Sequence, residues 1–174
     1  MELFVFYKEP AMFFFDTMPS PVGNLKIIAS ELGLHGILWD AEHKSNLSNF
    51  KFASARYSEN NTTIIQAKLQ LNQYFLGTRK SFNLPLVFEG TNFQTKAWNQ
   101  LLQIPYASTI SYAEQAERIG NKNKARAVGM ANKLNSLAIV VPCHRVVGKN
   151  GNLVGFAGGL DKKSYLLSLE KKYF

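Results

Sequence analysis

Cys143 is the only cysteine among 174 residues, and that single thiol limits how the chain can be held together. One cysteine closes no intramolecular disulfide and leaves a cysteine-based zinc site short of its usual four ligands, so folding has to rest on a buried apolar core. The composition supplies one. Hydrophobic residues make up 46% of the chain, aromatic 13% and charged 18%, the balance of a globular protein rather than a disordered or fibrous one. A free thiol persists in a reducing compartment, which makes the cytoplasm the expected location. The aromatic stretch 4–15 is broken by Lys8, Glu9 and Pro10 and is followed by no cleavage site, so it does not read as a signal peptide. No apolar run reaches the roughly 18 residues that a membrane span needs.

The net charge is +8, and excess positive charge steers a chain toward polyanions, with nucleic acid the first candidate and an anionic membrane the second. The excess is unevenly spread. Residues 1–88 carry 8 Lys and Arg against 7 Asp and Glu, whereas residues 89–174 carry 12 against 5, a balance of +1 and then +7. Polyanion binding is therefore assigned to the second half, and two domains, 1–88 and 89–174, are expected.

In the first half, runs 13–18, 25–30 and 34–40 are β-rich. Turn chemistry at Pro19-Ser20-Pro21-Val22-Gly23-Asn24 and Glu31-Leu32-Gly33 separates them, the pattern of a small antiparallel sheet. Ile64, Ala67, Leu71, Tyr74 and Phe75 then recur at helical spacing, ended by Gly77. The second half opens with Thr91-Asn92-Phe93-Gln94, a capping box ahead of the apolar face Phe93, Ala97, Trp98, Leu101 and Leu102. Ser111-Tyr112-Ala113-Glu114 repeats that signature for a short helix stopped at Gly120. Asn121-Lys122-Asn123 turns the chain into a second helix from Lys124 to about Lys133, predicting a helix-turn-helix. Gly129 inside that helix costs about 1 kcal/mol relative to alanine. Small side chains at Ala127, Gly129 and Ala131 would admit a DNA strand close to the helix, with Lys122, Lys124, Arg126 and Lys133 on phosphates. Close helix packing with a solvated basic face is the other reading.

The apolar run Leu137-Ala138-Ile139-Val140-Val141 has the pattern of a buried strand and leads into Pro142-Cys143-His144-Arg145. A thiolate is the nucleophilic form of cysteine and nearby positive charge favours it, so a thiol beside an imidazole and a guanidinium has the parts of an activated nucleophile. A lone cysteine after an apolar run is more often an inert buried residue. In an extended segment Cys143 and His144 point to opposite sides, which leaves a bridging water to connect them.

Pro142-Cys143-His144-Arg145-Val146 behind a helix-turn-helix resembles the O6-alkylguanine-DNA alkyltransferase family. Gly90-Thr91-Asn92-Phe93-Gln94, Ile104-Pro105-Tyr106, Ser111-Tyr112, Arg126-Ala127-Val128-Gly129, Asn135, Gly158-Gly159-Leu160 and Leu166-Leu167-Ser168-Leu169-Glu170 fall in the family's order and spacing. Residues 90–170 resemble it closely. The first half does so only through Ser20-Pro21-Val22-Gly23-Asn24-Leu25, similar to the opening hairpin of the family's N-terminal domain. The fold implied is α/β (α+β): a small ribonuclease-H-like sheet and helix domain, then a helical, winged helix-turn-helix-like domain for DNA binding and catalysis. The function implied is direct reversal of DNA damage, in which the alkyl group on O6 of guanine, or O4 of thymine, passes to the cysteine sulfur in one irreversible, stoichiometric step after the base is flipped out through the minor groove.

By that resemblance Cys143 is the nucleophile, His144 its water-mediated base and Glu170 the group that orients the histidine. Asn135 is the hinge between recognition helix and active site, and Tyr112 acts on the flipped nucleotide. Arg126 fills the vacated stack, with Ala127, Gly129, Lys122 and Lys124 also at the DNA. The carbonyls of Cys143 and Val146 and the N–H of Ala157 read the guanine edge between apolar walls from Met130 and Phe156. Neither cofactor nor metal is implied, and the partner is duplex DNA carrying O6-alkylguanine, met by a monomer away from any membrane. The chain departs from the family pattern at Ala107, a common turn glycine; at Ser136, usually proline, which suggests a more flexible hinge; at Phe156, often tyrosine; and at Asn121-Lys122-Asn123, which lacks a usual proline. A non-catalytic damage sensor is the alternative, opposed by the presence of Cys143. A cysteine hydrolase built from Cys143, His144 and Glu170 is the third reading, and it leaves the basic helix-turn-helix unexplained.

Overall fold

The computed structural model describes residues 12–39 and 52–174, so His43 and most of the aromatic stretch 4–15 lie outside the described residues. Strands β1 (Phe14–Met18), β2 (Leu25–Ser30) and β3 (Gly33–Trp39) form an antiparallel meander, and β4 (Arg56–Tyr57) pairs parallel to β1 in the order β3-β2-β1-β4. The first turn is held by Ser20, whose hydroxyl donates to the Gly23 carbonyl at 2.6 Å, and by the left-handed Gly23 (φ 96°). β3 is buried along its whole length because the sheet is covered on both faces. Leu25, Ile27 and Ile37 face helix α1 (Thr62–Phe75) through Ile64, Ala67 and Leu71, whereas Ile28 and Leu38 pack on Phe13, Phe15 and Phe52. Gly33 (φ 138°) admits the close passage of another segment, since a Cβ there would lie 2.3 Å from the Pro85 carbonyl oxygen.

Helix α2 (Asn92–Leu101) and helix α3 (Tyr112–Arg118) each begin with the capping box read from sequence, Thr91 with Gln94 and Ser111 with Glu114, both halves of each box being formed. A 3-10 turn (Lys122–Lys124) joins α3 to α4 (Ala125–Lys133). A buried amide pair fixes these helices to one another. Asn132 Nδ2 donates to Gln115 Oε1 at 2.7 Å, Gln115 Nε2 donates to the Ala97 carbonyl at 3.0 Å, and Trp98 Nε1 donates to the Ala131 carbonyl at 2.9 Å. Short strands β5 (Ile110–Ser111) and β6 (Val146–Val147) pair in parallel, and α5 (Leu160–Lys172) closes the chain. One apolar cluster runs through both halves, from Leu25 and Tyr74 to Trp98, Val141 and Leu166.

The run 137–141 is buried as expected but is not a strand. Leu137 makes a single parallel bridge to Ile37. The chain then turns, with Val141 N–H donating to the Leu137 carbonyl at 2.8 Å and Ile139 in the left-handed region at φ 72°. Apolar content signals burial, and over so few residues it does not separate a strand from a buried turn. A β-branched residue at positive φ is a strained conformation, held by the packing around it.

Candidate active site

That strained turn delivers Cys143 into a 3-10 turn (Cys143–Arg145) rather than an extended segment, with Arg145 N–H on the Pro142 carbonyl at 3.0 Å. Cys143, His144 and Arg145 are all buried. Asn135 reaches the sulfur directly, its Nδ2 donating to Cys143 Sγ at 3.3 Å and to the Val141 carbonyl at 2.8 Å. Burial pushes the Cys143 thiol up, opposed by the Asn135 hydrogen bond, the Lys163 charge and the backbone N–H groups of Cys143 and His144. The thiol therefore needs a base.

His144 has the attributes of one. Burial holds its pKa below the usual histidine value, against the pull of Glu170, so the ring is neutral. Its Nε2 lies 2.8 Å from Glu170 Oε1, and Nδ1 is buried with no partner among the described residues. Burial would raise the Glu170 carboxyl, but the hydrogen bond from His144 and then the hydrogen bonds and charge of Arg145 outweigh it and hold the pKa at about 2. An ionised carboxylate only accepts, so Nε2 carries the ring hydrogen and the Nδ1 lone pair is left to take a proton. A buried Nδ1 without a partner is a place for a bridging water.

Glu170 sits on the inner face of α5 and is fully buried. It also accepts from Tyr74 Oη at 2.8 Å, from Ala107 N–H at 2.9 Å and from Arg145, whose Nε and Nη2 lie 2.9–3.2 Å away. The Arg145 guanidinium is thus turned to Glu170, and the cation whose charge favours the Cys143 thiolate is Lys163. Fully buried on the same face of α5, Lys163 donates from Nζ to the carbonyls of Val146 at 2.6 Å and Val154 at 2.8 Å. Its pKa is pulled down to about 8 by burial, with Cys143 opposing. Tyr74 and Lys163 were given no chemical role from sequence, and Arg145 was read there as a charge beside the thiol. For Lys163 a signal existed: with Leu166 and Glu170 it occupies the three-and-four spacing of the buried stripe, where an unpaired lysine does not belong.

Tyr112 leads from this network to the surface. Its hydroxyl lies 3.0 Å from the Val154 carbonyl and 2.9 Å from that of Gly155, and its pKa is pushed up to about 12 by burial and then by Cys143. With Arg126, Gly129, Met130 and Lys133 it lines an open hollow of about 460 Å³. Arg126, Ala127, Lys122 and Lys124 are exposed along the same helix and the turn before it. The hollow does not include every residue expected there: Phe156 packs edge-on to Trp39 with ring centroids 5.6 Å apart, Ala157 is half-buried beside it, and the Val146 carbonyl faces Lys163. Among the described residues no group of His, Cys, Asp or Glu is gathered to hold a metal ion.

Two family profiles match the chain: the ribonuclease-like domain of 6-O-methylguanine DNA methyltransferase over residues 14–88, and its DNA binding domain over residues 92–172. The chain belongs to this family. A methylated-DNA–protein-cysteine methyltransferase of Methanosarcina acetivorans is 43% identical over 152 residues, 87% of this chain and 94% of the relative. A protein of the same name from Mycobacterium tuberculosis is 40% identical over 167 residues, covering 92% and 93%. The crystal structure of the Mycobacterium tuberculosis O6-methylguanine methyltransferase superposes with TM-score 0.83 at 39% identity over 94% of this chain and 95% of that one. The Mycobacterium tuberculosis OGT in complex with DNA gives 0.81 at 38% identity, over 92% and 94%. Family membership explains why the halves are chemically unlike, one a neutral sheet domain and the other a basic helical one. Ala107 is left-handed (φ 60°) with its N–H on Glu170.

Proposed function

We infer that the protein repairs alkylated DNA by direct reversal, moving the alkyl group from O6 of guanine to its own cysteine. The observation that carries this reading is the neutral His144, held at Nε2 by Glu170 and without a partner at Nδ1 among the described residues, adjacent in sequence to the buried Cys143. Through a bridging water His144 takes the Cys143 proton. The thiolate attacks the alkyl carbon, so one S–C bond forms, the C–O6 bond breaks, and the electron pair leaves on O6. The proton gained by His144 is the one that guanine must recover, so the step balances without a co-reactant. Asn135 steadies the sulfur, and Glu170 stabilises the imidazolium while it exists.

Base capture belongs to the surface around α4. Arg126, planar and permanently charged, fills the stack from the minor groove, and Tyr112 and Met130 border the hollow that the flipped base crosses. Lys122 and Lys124 take phosphates, and Ala127 and Gly129 let the backbone approach. The Val146 carbonyl, the Ala157 N–H and Phe156, which lie outside that hollow, are the groups proposed to meet the base beyond it. The substrate is duplex DNA, the protein acts alone, and residues 1–88 and 89–174 are its two domains. No described helix is long and apolar enough to cross a membrane, and a reducing cytoplasm suits a reaction that needs Cys143 as a free thiol.

A thioether is not reversed by thiol chemistry, so each molecule reacts once. Mixing the protein with an excess of duplex carrying O6-methylguanine and counting restored guanines tests this. Repair that stops at one guanine per protein is the expected result, and continued turnover would sink the mechanism.

A further inference from the structure

β3 is the outer strand of its sheet, and two segments from elsewhere in the chain cover its free edge. Leu34 N–H donates to the Pro85 carbonyl at 2.7 Å, and Val87 N–H donates to the Leu34 carbonyl at 2.9 Å. Further along, Ile37 N–H donates to the Ser136 carbonyl at 2.7 Å and Leu137 bridges Ile37. The Ser136 hydroxyl donates to the His35 carbonyl at 2.8 Å, across 101 positions of sequence. This second segment directly follows Asn135, whose amide is committed at both ends to the active-site loop: Nδ2 to Cys143 Sγ and the Val141 carbonyl, Oδ1 accepting from Leu137 N–H at 3.0 Å. Drift of residues 135–137 is therefore passed to the sulfur.

His35 is itself anchored. Its ring is buried, with Nε2 2.8 Å from Ser30 Oγ and Nδ1 3.0 Å from Glu89 Oε1, and the edge of Phe13 packs on it at 4.9 Å. Glu89 stands just before the capping box of α2. The strand residue that receives Ser136 is thus fixed both to its own sheet and to the segment that enters the second half.

We propose that the Ser136–His35 hydrogen bond is a positioning contact for alkyl transfer, through which the N-terminal sheet holds Asn135 against the Cys143 sulfur. The proposal rests on the transfer reaction inferred above for its consequence, though not for its readout. The Asn135 N–H favours the thiolate against the burial that opposes it, and loosening the hinge removes that support.

Because Cys143 is the only cysteine, its reactivity with iodoacetamide across a pH series reports this thiol alone. In the full chain, Ser136→Ala is expected to shift that profile to higher pH and to slow methyl transfer from a lesion duplex by about two- to tenfold, the range of one net hydrogen bond. Ser136→Thr, which keeps the hydroxyl, should restore both. DNA affinity in the Cys143→Ser background should not change. An alanine variant whose thiol profile overlays the wild type overturns the proposal, as does a threonine variant no better than alanine or a loss confined to DNA binding. A wild-type protein that takes up no methyl group refutes the transfer reaction instead, and the iodoacetamide comparison still decides the positioning role.

Discussion

Glu170 is surrounded by groups that present hydrogens to it, and those groups come from three parts of the chain outside its own helix: Tyr74, Ala107 and the His144–Arg145 turn. Removing its charge leaves Arg145 buried and unpaired, which costs about 3–5 kcal/mol. Glu170→Gln is accordingly expected to lower stability by about 3 kcal/mol or more in urea denaturation, and to slow transfer because the histidine loses its counter-charge. The pH dependence follows from the sign of the shift. A carboxyl held at about 2 against an ordinary 4.5 contributes stability that is fully present above 4.5 and is lost as pH falls toward 2. Urea midpoints measured through that window should fall steeply for the wild type and less so for Glu170→Gln; parallel curves would mean that Glu170 is not the group responsible. Ala107 carries a second expectation. Left-handed alanine is strained by about 1–2 kcal/mol, so Ala107→Gly should stabilise by about 0.5–1 kcal/mol once the extra freedom of unfolded glycine is deducted. A destabilised variant would show that the positive φ is not strained here. The sequence placed Cys143 beside His144 and Arg145 but did not show the direction in which that arginine turns. Adjacency suggested that Arg145 activates the thiol, whereas a carboxylate 25 positions away has captured it and the charge that favours the thiolate is that of Lys163.

Among the elements, α4 holds the clearest test of DNA reading against packing. A Cβ on Gly129 would lie 3.6 Å from the Tyr112 ring, ordinary contact, so nothing in the protein itself demands glycine there. Gly129→Ala should therefore raise stability by up to about 1 kcal/mol through helix propensity while weakening binding to lesion duplex, measured by fluorescence anisotropy. An alanine variant that is more stable and binds as well as the wild type would return Gly129 to chance. Arg126→Ala should leave the fold and the iodoacetamide reactivity of Cys143 intact and slow repair of duplex DNA; unchanged repair would remove Arg126 from base capture. The helices were legible because their caps are written locally: Thr91 with Gln94 and Ser111 with Glu114 lie three residues apart, and both boxes form. The run 137–141 was misread because its conformation is set by what surrounds it. Ile139 is buried in the core at positive φ, a conformation that no local pattern encodes.

At the scale of the whole molecule the neutral half and the basic half do different work. The N-terminal sheet supplies β3, onto which the segments entering α2 and the active site are docked, and the second half supplies the field that meets DNA. Binding to undamaged duplex should weaken linearly in log affinity against log salt, by about 0.9 per phosphate neutralised. Replacing Lys122 and Lys124 together by alanine should flatten that slope by about two such contacts, and an unchanged slope would place the phosphate contacts elsewhere. The charge asymmetry was visible in composition, and so was the direction of function. The contacts that join the halves were not, because His35 to Ser136 and Tyr74 to Glu170 link residues about a hundred positions apart, and pairings at that range leave no periodic trace. That Cys143 accepts the alkyl group is decided by intact-mass measurement after incubation with a duplex carrying a single O6-methylguanine. The wild type should gain the mass of one methyl group, lost from the duplex and mapped to Cys143, and Cys143→Ser should gain none. A mass that stays unchanged while the damaged duplex is still bound in preference to an undamaged one would contradict the claim and leave a sensor of damage in its place.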